Sequence, residues 1–269
     1  MENTKRILVP AIFSYALPRV KECLIGRGLE PICLNDITDD EINAGYAHID
    51  NDVCASTVAI IGQYVSYFQE HGSDDAPAVL VPELCRDCRA QSLPLVIETA
   101  FSRAGLDNIE LVELSNDEIV ELFEGLTAPA SSETSEDTAP SDTPVVGLCG
   151  TVPALTTDLF NRVVTGTIRQ AECNVAIPPL SLVVGKRDAI TPAVEYFHEQ
   201  GVGHVVCLLP FGCLSGHVFA RGQLRKLAKK YPDVALTMLD YDPSASDINL
   251  VNRTELVVQS AKEDMRAQK

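Results

Sequence analysis

Three cysteines stand where an apolar, strand-like run gives way to a helical pattern or where a helix begins. Cys88 and Cys213 each follow such a run, one in each half of the chain, and Cys54 directly precedes a helical pattern. A thiol at the N-terminal end of a helix lies near unpaired backbone N–H groups and a partial positive charge, which favour the thiolate form. In open α/β sheets, ligands also bind at the C-terminal ends of strands. The sequence therefore predicts a site built from sulfur, able to bind metal or to act as a nucleophile.

Cys85 and Cys88 are separated by two residues, and three kinds of site use such a pair. A structural zinc site would need a second close pair, and the spacing of Cys207 and Cys213 does not supply one. A thioredoxin-type dithiol suits the position between a strand and a helix, but Cys213 has only a distant partner in sequence. An iron–sulfur cluster held by Cys54, Cys88 and Cys213, with Cys85 nearby, uses each of the cysteines at a helix start. Spacing alone leaves the three alternatives open.

The remaining cysteines lie within apolar patterns and are predicted to be small core residues: Cys23, Cys33, Cys149, Cys173 and Cys207. No apolar run reaches the roughly 18 residues needed to cross a bilayer, and no small-residue cleavage site follows the first apolar run. We therefore expect a cytoplasmic protein without a membrane partner. Because disulfides are disfavoured in that compartment, metal or redox use is the better explanation for some of the nine cysteines.

The chain is acidic, and its charge is uneven. The formal net charge is −17, which argues against nucleic acid as a partner because a basic surface would be needed to bind it. Residues 1–126 carry a net charge of −14, residues 127–144 carry −4, and residues 145–269 carry +1. Residues 127–144 lack aromatic and long aliphatic side chains and are rich in Pro, Ser, Thr and acids, a composition that cannot form a core. This pattern predicts two differently charged domains joined by a flexible acidic tether.

The same order of strand and helix occurs on both sides of the tether. Strands are predicted at 6–12, 30–34, 78–83 and 109–113, and again at 145–149, 173–177, 204–209 and 234–239. Helices are predicted at 15–27, 55–70, 89–104 and 117–125, and again at 154–170, 189–200, 215–230 and 252–264. Short, continuously apolar strands that alternate with helices are typical of parallel sheets covered on both faces. The predicted fold is α/β, with two similar doubly wound lobes, 1–126 and 145–269, that arose by internal duplication and meet at a cleft.

The cysteine motifs resemble those of the 2-hydroxyacyl-CoA dehydratase and benzoyl-CoA reductase family of iron–sulfur proteins. The more specific features are the loop Pro210-Phe211-Gly212-Cys213 and a similar C-terminal region that begins at Tyr231. The likeness is strongest to the non-ATPase part of the activase-related, double-cubane-like proteins. Two weaker features are Cys88-Arg89 leading into a helix that ends near Gly105, and Gly62 eight residues after Cys54.

The resemblance implies a cofactor, an activity and partners. It implies a 4Fe–4S cluster bound by Cys54, Cys88 and Cys213, reduced by a separate ATP-dependent activator, with an electron then passed to a CoA thioester for dehydration or reduction. It further implies a homodimer or a heterodimer. Some relatives hold a double-cubane cluster, for which the additional ligands here would be Cys85, Cys149 and Cys207.

Other residues near these motifs are candidates for a role at the site. Arg89 directly follows Cys88, and His217 lies one helical turn after Cys213, where it could donate a proton to substrate or to a sulfide. A basic row on the same predicted helix is either a solvated face, a contact for the acidic half, or a site for coenzyme A phosphates: Arg221, Arg225 and Lys229.

The sequence also departs from the family pattern. The family's Tyr-Pro-x-Lys after the first cysteine is replaced by residues 55–58, so a positive charge is missing, and Asp87 replaces a proline. The chain also lacks a glycine-rich phosphate-binding loop, so it is not expected to be the activator itself. The departures keep two other functions open: a non-catalytic cluster-bearing electron carrier or regulatory partner, and a metal-free small-molecule binding module.

Overall fold

The computed structural model describes residues 4–50, 53–73, 76–83, 92–124, 126 and 143–267. The first lobe contains the strands β1 (Lys5–Val9), β2 (Leu29–Cys33), β3 (Ala78–Pro82) and β4 (Leu111–Leu114). Its helices are α1 (Leu17–Gly26), α2 (Asp39–His48), α3 (Ala55–His71), α4 (Leu93–Arg103) and α5 (Asn116–Phe123), with a 3₁₀ turn at Ala11–Ala16.

The second lobe follows the same plan. Its strands are β5 (Val145–Gly150), β6 (Asn174–Ala176), β7 (His204–Pro210) and β8 (Ala235–Tyr241). Its helices are α6 (Val152–Thr156), α7 (Asp158–Gln170), α8 (Ile190–Glu199), α9 (Arg221–Lys230) and α10 (Ile248–Ala267). A 3₁₀ turn occupies Leu180–Leu182, and a π-helical segment at Ser215–Ala220 leads directly into α9.

Each lobe is built on a parallel sheet with the same strand order. Within the described residues the orders are β2-β1-β3-β4 and β6-β5-β7-β8. The predicted α/β class with two four-stranded parallel sheets is therefore confirmed. In this order the second strand is added on one side of the first strand, and the third strand is added on the other side. The connections that leave the first and third strands therefore diverge, and a crevice opens at the C-terminal ends of these strands, where α/β proteins bind ligands.

The central strands are apolar because both faces of each sheet are covered by helices. All five residues of β3 are buried, and β7 is buried from its second residue to its last. The buried apolar side chains of the two lobes form one contiguous core. The lobes therefore pack directly against each other.

Contacts between the lobes are made by segments that follow the C-terminal ends of strands. The 3₁₀ turn after β1 packs against α6, which follows β5. The Ala55 N–H donates to the carbonyl oxygen of Phe211, just after β7, at 2.9 Å. A Cβ atom at Gly185, after β6, would lie 3.0 Å from Oδ1 of Asn116, after β4. The C-terminal edges of the two sheets thus face each other across the lobe boundary.

Helix α2 is absent from the sequence-based prediction. It contains a central glycine and has little apolar periodicity, and it is instead fixed by a capping box in which Thr38 and Glu41 bind each other's backbone N–H groups. It packs closely on α3, where a Cβ at Gly45 would overlap the Val58 carbonyl and one at Gly62 would overlap the Glu41 carbonyl. These glycines let the two helix backbones touch.

Two long helices predicted in the second lobe are interrupted. The predicted helix 154–170 is divided into α6 and α7 at Thr157, whose backbone is extended with φ −110° and ψ 119°. The predicted helix 215–230 begins as the π-helical segment before α9. The predicted start of helix 89–104 and residues 127–142 of the tether lie outside the described residues. Among the helices that are described, none combines the length and apolar character needed to cross a membrane.

Candidate functional site

Cys54 is the N-cap residue of α3 at the edge of the first lobe. Its backbone is extended, with φ −81° and ψ 158°, and its side chain makes no capping hydrogen bond. The Cys54 Sγ lies 3.4 Å from Oγ1 of Thr57, one turn into the helix. The thiol is partly buried and is placed at the positive end of a helix of 17 residues. The N-terminal end of a helix is a favourable position for a bound anion.

Cys213 occupies the equivalent edge of the second lobe. It follows β7 after a two-residue turn, and its N–H donates to the carbonyl oxygen of Pro210 at 3.0 Å. Its Sγ accepts a hydrogen bond from the Gly216 N–H at 3.3 Å, and the residue is 5% exposed. A backbone N–H directed at sulfur stabilises negative charge there. Both features suit a sulfur that acts as a ligand.

The loop that carries Cys213 lies directly on the N-terminus of α3. Besides the bond from Ala55 to Phe211, a Cβ at Gly212 would lie 3.2 Å from the Cys54 Cα and 2.8 Å from the Val53 carbonyl oxygen. Gly212 also has φ +72°, which side-chain-bearing residues rarely adopt. Glycine is therefore required for both the turn and the close approach. The structure brings together residues that are separated by most of the sequence.

The predicted site residues that follow β3 lie outside the described residues: Cys85, Cys88 and Arg89. What is described is where the chain leaves and re-enters this region. Strand β3 ends at Pro82, and Glu83 is fixed there because its Oε2 accepts from the Asn116 N–H at 3.0 Å and its carbonyl accepts from Asn116 Nδ2 at 3.1 Å. Helix α4 begins at Leu93.

His217 lies beside Cys213 in a polar cluster that the sequence did not reveal. Its N–H donates to the Cys213 carbonyl at 2.9 Å, and its Nε2 lies 3.9 Å from Oδ1 of Asp240 at the end of β8. The other Asp240 oxygen pairs with Arg221, whereas the Oδ1 atom is buried and makes no hydrogen bond within the described residues. Arg221, four residues after His217, was the available signal for this cluster.

Asp240, at the end of β8, and Asp242, just after it, have separate roles. Asp240 belongs to the cluster with Arg221, whereas Oδ1 of Asp242 accepts from the N–H and hydroxyl of Ser244 and forms a turn. In the basic row, Arg225 and Lys229 are exposed and form no ion pair with any described residue. Within the described residues, the charge of Arg221 is thus neutralised by Asp240, whereas the charges of Arg225 and Lys229 further along α9 are not neutralised by an ion pair.

Cys149 and Cys207 form a buried pair inside the second sheet. They are directly opposite on β5 and β7, both are 0% exposed, and their Sγ atoms are 3.0 Å apart. Burial raises the pKa of the Cys149 thiol well above its ordinary value, and the neighbouring Cys207 acts in the same direction. The neutral thiol is thus favoured, and the pair is better suited to packing than to metal binding. Cys173 is buried as well, and Cys23 and Cys33 are partly buried.

Alkylation of the native thiols should follow this difference in exposure. In native protein without bound metal, we expect iodoacetamide to modify Cys54 and to leave Cys149 and Cys207 unmodified until the protein unfolds. The reason is that both buried thiols are 0% exposed and shielded from the reagent, and burial also raises the pKa of Cys149. Peptide mass spectrometry after timed labelling, with and without denaturant, measures the order. Equal rates at Cys54 and Cys149 would contradict the buried assignment.

The described residues alone do not complete a metal site. Among them, no group of three or more His, Cys, Asp or Glu side chains has an arrangement that could hold a metal ion. Cys54 and the loop that carries Cys213 bring two cysteines to the lobe boundary. No protein-family model and no curated protein matches the sequence.

Proposed function

We propose that this chain binds an iron–sulfur cluster between its lobes through Cys54, Cys88 and Cys213, and uses it for low-potential electron transfer to a CoA thioester. The observation that carries the proposal is the contact between the Phe211–Cys213 loop and the first residues of α3. It places two cysteines from different lobes at one boundary, each at the start of a helical segment. Packing alone would not require cysteine at both positions.

The surroundings of the two sulfur atoms fit such a group. Thiolate ligands need compensation of negative charge, which the helix end provides at Cys54 and the Gly216 N–H provides at Cys213. When bound, the cluster supplies electrons at a potential set by hydrogen bonds to sulfur and by solvent exposure. The low exposure of Cys213 and the buried first turn of α3 limit the access of water.

Other residues of the chain are assigned supporting roles. His217, held beside Cys213 and close to Asp240, is proposed to hold or deliver a proton at the substrate. Arg89, next to Cys88 in sequence, is proposed to bind an anionic part of the substrate. Cys85 is the candidate for a fourth ligand. The exposed Arg225 and Lys229 are available to coenzyme A phosphates or to an acidic partner.

One observation favours a second function, a cluster-bearing electron carrier without its own substrate. The first turn of α3 consists of Ala55, Ser56, Thr57 and Val58, all buried and all uncharged. The cation that the resembling family places there is absent, so one group that could bind a substrate anion beside Cys54 is missing. Partners would then be the ATP-dependent activator and a separate catalytic subunit, in a homodimer or heterodimer.

Anaerobic reconstitution with iron and sulfide tests the proposal. We expect a brown protein with charge-transfer absorption that bleaches on exposure to oxygen, and one cluster per chain by iron and sulfide analysis. Reduction by an ATP-dependent activator, followed by turnover of a CoA thioester, would support the enzyme. Reduction without turnover would support the carrier. A colourless protein with no bound iron would exclude both, and would favour the Cys85–Cys88 dithiol or a metal-free binding module.

A further inference from the structure

Helix α10 carries two large apolar side chains on its outer face. Ile248 is 67% exposed and Leu256 is 68% exposed, although the opposite face of the helix is buried against the second sheet and α7. Residues four apart on a helix lie on one face, so Ile248, Asn252 and Leu256 form a single row with Asn252 at its centre. One exposed apolar residue is ordinary, but two in a row beside a groove form a patch of the kind that binds another protein surface.

A groove of about 780 Å³ runs between α10 and α7 beside this row. Its walls include Asn252 and Leu256 from α10 and Arg162 and Gly166 from α7. The groove is open above Gly166, where an added Cβ would meet no atom within 4 Å. There is thus room between the two helices for apolar side chains of another molecule.

The row on α10 is complementary to a second copy of itself. Two copies of α10 that pack antiparallel about a two-fold axis at Asn252 place Ile248 of each copy opposite Leu256 of the other, since both residues are four positions from Asn252. Such an interface uses the same patch on both copies, as a two-fold symmetric dimer requires. At the axis Asn252 meets its own copy, and a side-chain amide can both donate to and accept from a second amide.

The charges along the groove fit the same arrangement. Arg162 lies at the end of the groove near Asp247, since the charges of both residues act on the hydroxyl of Tyr241. Glu255 lies on the other side of Asn252, so the axis brings Arg162 of one copy towards Glu255 of the second copy. Within the described residues, neither Arg162 nor Glu255 forms an ion pair. Each is therefore free to pair with its opposite charge across the axis.

We propose that a second copy of this chain binds to α10 and the adjoining groove, in a two-fold symmetric dimer with Asn252 at the axis. Residues 1–126 carry a net charge of −14 and residues 145–269 carry +1, so the second lobe is the one through which two copies meet with little repulsion. The inference does not rest on the proposed function, because none of these residues belongs to the cysteine site.

The size of the face indicates how strong this dimer is. With 20 residues, α10 is about 30 Å long, and with α7 beside it the face is about 20 Å wide, which gives about 600 Å² per copy. A typical specific interface buries roughly 800 Å² per partner. The dimer is therefore expected to be weak and to dissociate on dilution.

Sedimentation equilibrium of the metal-free full chain, over a wide range of concentrations, tests the inference. We expect a reversible equilibrium between monomer and dimer that Leu256→Glu weakens about a hundredfold, because the symmetry places an added charge twice in an apolar contact. The matched control is Leu95→Glu, the same change at a leucine of the first lobe that is 63% exposed, and it should dimerise as the wild type does. Circular dichroism of each variant confirms the native fold.

Asn252→Cys tests the position of the axis. Only a residue at a two-fold axis meets its own copy, so mild oxidation should link two chains through the substituted position, and peptide mass spectrometry identifies the link. Ser260→Cys, at an exposed position further along the same face of α10, should give no such link.

Three results would overturn the inference. The first is a wild type that stays monomeric at every concentration, which would leave the groove to a different protein. The second is an equal weakening of the dimer by Leu95→Glu and Leu256→Glu. The third is cross-linking of the two cysteine variants to the same extent.

Discussion

Cys213→Ala protein, reconstituted anaerobically, is expected to retain less than about a tenth of the cluster iron bound by the wild type. A methyl group cannot replace a thiolate ligand, and at other metal sites the loss of a residue that only orients a ligand already costs roughly 10- to 100-fold in metal affinity or activity. The Gly216 N–H would also lose its sulfur acceptor. Iron and sulfide analysis, together with the absorbance of the charge-transfer band, measures the loss.

Cys173→Ala is the matched control for this experiment. Cys173 is buried in the same lobe, with 4% exposure, and its Sγ donates to the carbonyl oxygen of Ala171 at 3.6 Å. Its replacement should cost on the order of 1 kcal/mol of stability and no iron. If both variants lose iron equally, the cause is unfolding and not ligation. If Cys213→Ala binds a full complement, Cys213 is not a ligand.

Gly62→Ala is expected to lower the free energy of unfolding by about 3 kcal/mol or more. The added Cβ would overlap the carbonyl group of Glu41 in α2, and a backbone group cannot move aside as a flexible side chain can. Helix α2 would have to separate from α3. Urea unfolding followed by circular dichroism measures the change, and altered alkylation of Cys54 would report whether the start of α3 moves too.

Gly166→Ala provides the opposite result in the same kind of element. Gly166 lies within α7, and a Cβ placed there meets no atom within 4 Å. Alanine is the better helix former, so this variant should gain up to about 1 kcal/mol. If Gly62→Ala proves as harmless as Gly166→Ala, the close packing of α2 on α3 is wrong.

The repeating architecture could be predicted from the sequence, whereas features set by backbone contacts could not. Runs such as β3 and β7 are continuously apolar, and the alternation with helices leaves few other folds. Helix α2 lacks that periodicity, and a glycine at position 45 argues against a helix when only the sequence is known. The reason for this glycine is the close approach of the Val58 carbonyl, which is seen only in the folded chain. The capping box of Thr38 and Glu41 was the local signal for its start. The π-helical segment has no comparable signal.

The candidate site was predictable only where it depends on local sequence. Position at the start of a helix can be read from local sequence, and the structure places Cys54 and Cys213 at such positions. Their neighbours could not be inferred, because the contact of Gly212 with Cys54 joins residues far apart in the chain. The orientation of His217 towards Asp240 likewise depends on the position of β8 beside β7. Distant pairs become visible only in the folded chain.

The contact between α3 and the Phe211–Cys213 loop has a consequence for the order of events in the cell. A ribosome makes the chain from its N-terminus, and the first lobe can begin to fold before the second exists. Cys54 is then exposed at the start of α3, while residues 211–213 of the 269 are still to be made. Any group held between them can enter only late in synthesis or after release. Until then the Ala55 N–H lacks its acceptor, the Phe211 carbonyl oxygen. The Cys54 thiol of the incomplete chain is therefore accessible to oxidants and to proteins that deliver a cofactor.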